Sequence, residues 1–220
     1  MANPRAFVEL QRGDVVESRH SVSAALVDAQ GRLMAWVGDP ELLTYFRSAA
    51  KPFQALPLVD DGAADAFGFS EAELAICCAS HSGEPAHVRT VLSILGRIGC
   101  GEEDLECGAH PPFHQPSAEA LRAEGRAPSR VHNNCSGKHS SMLAWARHAG
   151  EKTVGYPRAD HPVQQRIRRE IARWTGNPAD ELGTAIDGCG VITYAQPLNS
   201  MATAFARLVA AADRDSGSPA

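Results

Sequence analysis

Val22-Ser-Ala-Ala-Leu-Val-Asp-Ala-Gln-Gly-Arg-Leu-Met-Ala-Trp-Val37 is the stretch from which the fold class is read. Val22, Ala24 and Leu26 alternate and are expected on one strand face, Asp28-Ala-Gln-Gly31 carries turn chemistry, and Leu33–Val37 returns, so the segment predicts a β-hairpin. Past Asp39-Pro40 the period becomes helical: Ala49, Phe53 and Leu56 share a stripe that Pro57 is expected to kink or end. Ser70 and Glu73 are spaced as a capping box opening a short helix through Leu74 to Cys78. Pro85 starts another, with Val88, Val91, Leu92 and Leu95 on one face. Residues 107–116, rich in Pro, His and Gly, read as loop. Helices are expected over Ser136–His148, stopped by Gly150, and over Pro162–Trp174, stopped by Gly176. Thr184–Ile186 and Val191–Tyr194 flank an Asp187-Gly-Cys-Gly190 turn, and Met201, Ala204, Phe205, Leu208 and Val209 mark a last amphipathic helix. Strands come first and helices then dominate, which is an α+β layout. One catalytic-type domain is expected over residues 1–212, followed by a polar, disordered tail over 213–220.

Composition narrows the function. The 220 residues are 44% hydrophobic and 21% charged, the balance of a soluble globular chain. The net charge is −5 with no basic stripe, which gives a nucleic-acid partner no electrostatic support. Met1-Ala-Asn-Pro-Arg5 has no apolar signal core and no stretch of about 18 apolar residues exists, so the expectation is a cytoplasmic protein without a membrane partner. The six cysteines, Cys77, Cys78, Cys100, Cys107, Cys135 and Cys189, include no C-x-x-C pair, and without an export signal a disulfide framework is not expected. A buried thiol serving as a small hydrophobe explains most of them; Cys135 and Cys189 differ by their neighbours.

Ser48-Ala-Ala-Lys51 is an S-x-x-K pattern at the change from strand to helix. A serine hydroxyl needs an adjacent base to attack at neutral pH, and a lysine three residues on lies on the same helical face. The orphan N–H groups of a helix N-terminus would favour a neutral lysine and hold a developing oxyanion. A capping serine beside a solvated lysine gives the same letters. Ser80-His-Ser-Gly-Glu84, directly after a short helix, offers a second hydroxyl as proton relay; a nucleophile elbow is excluded, because no Gly sits two before Ser80 or Ser82. Asn133-Asn-Cys135-Ser-Gly-Lys138-His139 is the densest cluster: at i, i+3 and i+4 Cys135, Lys138 and His139 converge. By spacing alone, Cys135, His139 and Cys189 make a zinc-like set, with Asp187 as a ligand or just outside it. A P-loop is excluded, since His139 stands where Ser or Thr is required. The remaining histidines are scattered, and most are expected at the surface.

Arg47-Ser48-Ala-Ala-Lys51-Pro52, Ala79-Ser80-His-Ser-Gly-Glu84, Asn134-Cys135-Ser-Gly-Lys138-His139 and Asp187-Gly-Cys189-Gly together resemble, in order, the asparaginase family typified by the rhizobial inducible enzymes. The resemblance runs from about residue 8 to 210. It implies a fold similar to that of serine β-lactamases and penicillin-binding proteins, an antiparallel sheet flanked by helices, here incomplete. It implies hydrolysis of L-asparagine to L-aspartate and ammonia by a homodimer, with Ser48 as nucleophile, Lys51 as its activator and Ser80 completing the relay. It also implies zinc (Zn2+) on Cys135, Lys138 and Cys189, a lysine where spacing alone selects His139. Deprotonating a lysine of pKa about 10.4 at pH 7 costs roughly 4.6 kcal/mol. Structural zinc sites release about 10–16 kcal/mol, enough to offset it. His139 then becomes a substrate contact together with Asn134. Arg47 suits the substrate α-carboxylate and Asp187 the α-ammonium.

Family members continue past the region matching 198–210 with a segment that completes the sheet and carries a lysine comparable to that of the K-T-G motif of β-lactamases. Lys152-Thr-Val-Gly155 is not placed to replace it. The chain is therefore expected to be truncated, or to pair with something that supplies the missing strands. Two other readings use the same residues: a catalytically inert zinc-binding domain, and a β-lactamase-like acyl hydrolase. Ammonia release, zinc content and turnover of a chromogenic β-lactam separate the three.

Overall fold

The computed structural model describes residues 6–216, with side chains as far as Ala212. The signal-core reading of Met1–Arg5 and the end of the tail at 217–220 fall outside the described residues. Contacts gather the chain into two compact units, one built from residues 1–46, 172–183 and 194–220, the other from 47–171 and 184–193.

In the first unit, β1 (Ala6–Arg12) and β2 (Val15–Val22) form an antiparallel hairpin turned at Gly13-Asp14, where Gly13 takes the positive φ of 59° that a tight hairpin requires. The predicted hairpin follows as β3 (Ala24–Val27) and β4 (Leu33–Val37), paired antiparallel from Ala24↔Val37 to Val27↔Leu33. Val22 belongs to the earlier strand, and the Ala24–Leu26 face points outward: Leu26 is 62% and Met34 61% exposed, while Ala25 and Val27 turn inward. Strand alternation marks two faces and does not say which is buried. The segment expected to turn helical first makes β5 (Leu43–Tyr45), antiparallel to β7 (Ile192–Pro197) with Leu43↔Pro197 and Tyr45↔Ala195. α8 (Leu198–Ser216) packs against β3; it continues through Ser216, into the residues read as tail. Where one sheet was expected there are three small ones: β1-β2, β3-β4, and a third ordered β5-β7-β6, with β6 at Gly183–Ile186.

The second unit is helical. After a 3-10 turn at Arg47–Ala50 come α1 (Lys51–Asp60), α2 (Ala63–Ala66), α3 (Glu71–Cys77), α4 (Pro85–Arg97), α5 (Gln115–Ala123) and α6 (Ser136–Ala149), then the start of α7 (Pro162–Thr175). Ser48 thus lies in the 3-10 turn ahead of the helix. Pro57 lies inside α1, which continues three residues past it. The predicted loop ends at His114, because Pro116 occupies the first turn of α5, where a missing N–H costs nothing.

α6 is the axis of this unit, packed against α1, α2, α3 and α4 and buried from Ser136 to Ala144. It tolerates burial of small polar residues because their hydroxyls bond back to its own carbonyls, Ser140 to Ser136 O at 2.9 Å and Ser141 to Lys138 O at 2.7 Å. Gly137 is where α3 touches α6. A β-carbon there would sit 2.3 Å from the Ile76 carbonyl oxygen.

The capping box at Ser70 forms as predicted and is the hub of a buried network. The Glu73 carboxylate accepts the Ser70 N–H at 2.8 Å, the Ser93 hydroxyl at 2.9 Å and Arg97 at 2.8 Å. Burial pushes its pKa up, but these donors outweigh burial and leave it below the ordinary glutamate value. The carboxylate's contribution is therefore present above the unfolded pKa of about 4.3 and is lost as pH falls through the lower folded value. Glu73→Gln is expected to cost about 2 kcal/mol in urea unfolding at pH 7, with the deficit shrinking below about pH 4. A deficit independent of pH would remove the charge from this account.

Candidate active site

Lys51, the first residue of α1, is 1% exposed, yet a lysine is among the costliest side chains to bury. Its amine sits 2.7 Å from the Ser80 Oγ, 3.0 Å from the Ala79 carbonyl oxygen and 3.5 Å from the Asn134 carbonyl oxygen. Burial pushes its pKa down from the ordinary lysine value, against the pull of the Cys135 sulfur. Three acceptors lie within reach of its three N–H positions, and on giving up one proton the amine can turn the freed lone pair to the Ser80 hydroxyl.

Ser80 follows the end of α3 on a loop latched to the start of α6. The His81 N–H donates to the Asn134 carbonyl at 3.1 Å, and the Gly83 N–H donates to His81 Nδ1 at 3.1 Å. The ring proton is therefore on Nε2, which donates to the Ser136 Oγ at 2.7 Å, while the Ser136 hydroxyl donates to the Val131 carbonyl. Burial pushes the His81 pKa down to about 4, so the latch is neutral. Gly83 holds φ +77°, and a β-carbon would meet Pro112 Cβ at 2.9 Å. Among the histidines expected at the surface, His81, His132 and His161 are buried instead.

Cys135 precedes α6, its N–H held by the Asn133 side-chain oxygen at 2.8 Å. Asn133 itself donates to the Gly108 carbonyl at 2.6 Å. Cys189 hangs from the turn closed by Gly190 N–H to Asp187 O, 2.9 Å, and Asp187 N–H to Val191 O, 2.8 Å. The two sulfurs share a hydrogen bond that splits them, Cys189 driven toward thiolate and Cys135 keeping the proton. Lys138, also buried, donates to the Cys189 sulfur at 3.1 Å.

His139 lies behind them, fully buried, and burial lowers its pKa. The Tyr156 oxygen accepts the Glu106 N–H at 2.9 Å, so its own hydrogen goes to His139 Nδ1 at 2.5 Å and the ring proton is on Nε2. That Nε2–H has no partner of full hydrogen-bond geometry; it faces the Cys189 sulfur and favours the thiolate. In this tautomer the imidazole turns an N–H to the sulfur, as the Lys138 amine does. Tyr156, in Gly155-Tyr-Pro157, is a contributor that spacing does not reveal.

A cavity of about 220 Å³ opens over the thiols, lined by Ser48, Arg47, Asn134, Cys135, Asp187 and Cys189. Six of the ten residues singled out in the sequence thus share one cleft. Lys51 and Ser80 form a pair of their own, and Lys138 and His139 back onto Cys189. The Ser48 hydroxyl is exposed and makes no hydrogen bond among the described residues, to Lys51 or otherwise. Arg47 and Asp187 pair across the cleft at 2.8 Å, and Arg47 is the one non-glycine described with a positive φ, 51°. His110 and Phe113, not anticipated, stack 5.0 Å apart and also line the cleft, with His110 Nε2 accepting the Asn134 N–H at 3.0 Å.

Among the described residues no three His, Cys, Asp or Glu side chains gather as a metal site. All six cysteines are free thiols, and no described helix is long and apolar enough to cross a membrane.

A buried amine 2.7 Å from a serine hydroxyl thus lies beside a cleft carrying a second serine and an Arg–Asp pair. Residues 8–218 match the family described as L-asparaginase II, and the chain belongs to that family. An enzyme of the asparaginase class, acting on a small amide substrate, follows from membership. No curated protein matches the chain.

Proposed function

We propose that the chain hydrolyses L-asparagine to L-aspartate and ammonia through a serine ester, with Ser48 as nucleophile and Lys51 as base acting through Ser80. The observation that carries this reading is the buried Lys51 amine, within reach of two carbonyls and 2.7 Å from a hydroxyl. The substrate zwitterion exchanges for the Arg47–Asp187 pair, its carboxylate on the guanidinium and its ammonium on the carboxylate. An exposed pair of this kind is worth at most about 1 kcal/mol, so opening it costs little. The serine oxygen bonds to the side-chain amide carbon while its proton passes to the Lys51 amine. The C–N bond then breaks and ammonia leaves with that proton. Water cleaves the ester, returning the proton to serine and releasing L-aspartate.

Zinc fits the donor set. Cys135, Lys138 and Cys189 offer two sulfurs and an amine, buried together and already sharing protons that a metal would replace. Bound there, zinc would supply a positive charge to the cleft. Around the site the proposal includes a serine β-lactamase-like arrangement of helices and antiparallel strands, and a homodimer working in the cytoplasm.

One observation favours a second reading: the serine within reach of Lys51 is Ser80, which would then attack directly, with Ser48 placing the amide. Ammonia release by Ser48→Ala and Ser80→Ala, with zinc measured by mass spectrometry on the same samples, tests both. The first reading expects a loss of at least about 10³-fold in Ser48→Ala, with a covalent aspartyl ester trapped on Ser48 in the parent. An ester on Ser80 selects the second. Near-parental turnover in both variants sinks the serine mechanism, and parental protein free of zinc removes the metal.

A further inference from the structure

A second cavity of the helical unit shares no lining residue with the cleft above. It encloses about 480 Å³ between the first turns of α4 and α5, and Val88, Pro116, Ala120 and Leu121 give it apolar walls. That volume is within the range of small-molecule sites, and apolar walls with few polar groups are their usual composition.

The polar lining is Arg89, His114, Ser117, Glu124, Arg126 and His132, of which His114 and Ser117 bond each other at 2.8 Å. His132 lines the cavity at 9% exposure, and its Nδ1 accepts the Ser129 N–H at 3.0 Å. The ring proton is therefore on Nε2, a donor with no partner among the described residues. Arg89, at the rim, makes no ion pair among the described residues. Arg126 is paired with Glu124, the one carboxylate lining the cavity, at 3.0 Å, and with Arg89 the lining carries two guanidiniums against one carboxylate. What remains is an unpartnered imidazole N–H and an unpaired guanidinium over an apolar floor, which is complementary to an anion with an apolar body.

We propose that this cavity is a second small-molecule site that takes a compact apolar carboxylic acid, with its carboxylate on His132 Nε2 and Arg89 and its body against Val88, Pro116 and Leu121. The site shares a loop with the proposed chemistry: Gly83 lines it, three residues from Ser80. An occupant would press on the loop that holds the hydroxyl facing Lys51.

Benzoate is the probe, with binding measured by calorimetry on the full chain. The expected result is saturable 1:1 binding, abolished in Ala120→Trp, which fills the cavity from an exposed helix position, and weakened about tenfold in Arg89→Gln. Val88→Trp is the second blocking variant, should Ala120→Trp fail to fold. Benzylamine, of the same shape and opposite charge, is expected not to bind, and saturating L-aspartate is expected to leave benzoate binding unchanged. Absence of saturable binding, equal binding of benzylamine, undiminished affinity in a folded blocking variant, or competition by L-aspartate would each overturn the proposal; the last would place benzoate in the cleft.

Discussion

Lys51→Met is expected to lower ammonia release from L-asparagine by about 10³-fold or more while leaving the melting temperature at or above the parental value. The two halves of this prediction separate a base from a structural cation. General base catalysis contributes about 10²–10⁴-fold, and a serine attack deprived of its proton acceptor loses at least that much. If the lysine were present to hold the fold, its removal would leave the Ala79 carbonyl without its amine donor and cost about 1–3 kcal/mol, while the Asn134 carbonyl keeps the His81 N–H. Against that, methionine has nearly the same length and no amine to desolvate. The second effect is expected to win because both carbonyls lie at chain bends, Ala79 past the end of α3 and Asn134 just ahead of α6, where water can replace the amine. Turnover within tenfold of the parent would exclude Lys51 as base; a large fall in melting temperature with activity retained per folded molecule would make it structural.

Gly137→Ala is expected to invert the usual sign of its class. In an exposed helix, alanine for glycine gains about 1 kcal/mol. Here the new methyl group would lie 2.3 Å from the Ile76 carbonyl oxygen and 2.8 Å from its carbon, backbone atoms that cannot rotate away. Forcing a group into a packed core costs about 1–3 kcal/mol, and a backbone obstacle between two buried helices places this case at about 3 kcal/mol or beyond. For a chain of this length that is a fall of roughly 6–12 °C in melting temperature. Gly137 also lies between Cys135 and Lys138, so the displacement needed to relieve the contact shifts two of the three proposed zinc donors, and bound zinc is expected to fall with stability. A melting temperature within about 2 °C of the parent would mean that α3 and α6 are not pressed together as described.

What could be read from the sequence was local chemistry. Ser70 and Glu73 specify a cap because both hydrogen bonds close within one turn, and Gly150 stops α6 because only a residue tolerant of φ +72° fits there. The β3–β4 turn was legible for the same reason; which face of that hairpin is buried was not, because burial is decided by what packs against it. The loop expected over 107–116 overruns the first two residues of α5 because proline and histidine dominate the approach, although Pro116 is itself a start signal. The cleft was half legible. Four motifs named the residues, but the partner of Lys51 lies 29 residues away and that of His139 lies 17 away. Helical spacing pairs Lys51 with Ser48, whereas the folded chain carries Ser80 to the amine on a loop latched by His81, whose burial no spacing reveals. The ring orientation of His139 depends on a tyrosine no motif includes.

The left-handed backbone of Arg47 makes that position a place where durability and catalysis select opposite residues. Holding an arginine at φ 51° costs about 1 kcal/mol that a glycine would not incur. A lineage favoured only for thermal resistance would drift to glycine there and surrender the guanidinium facing Asp187. An arginine in that conformation keeps its guanidinium facing the cleft at a small conformational cost to the fold.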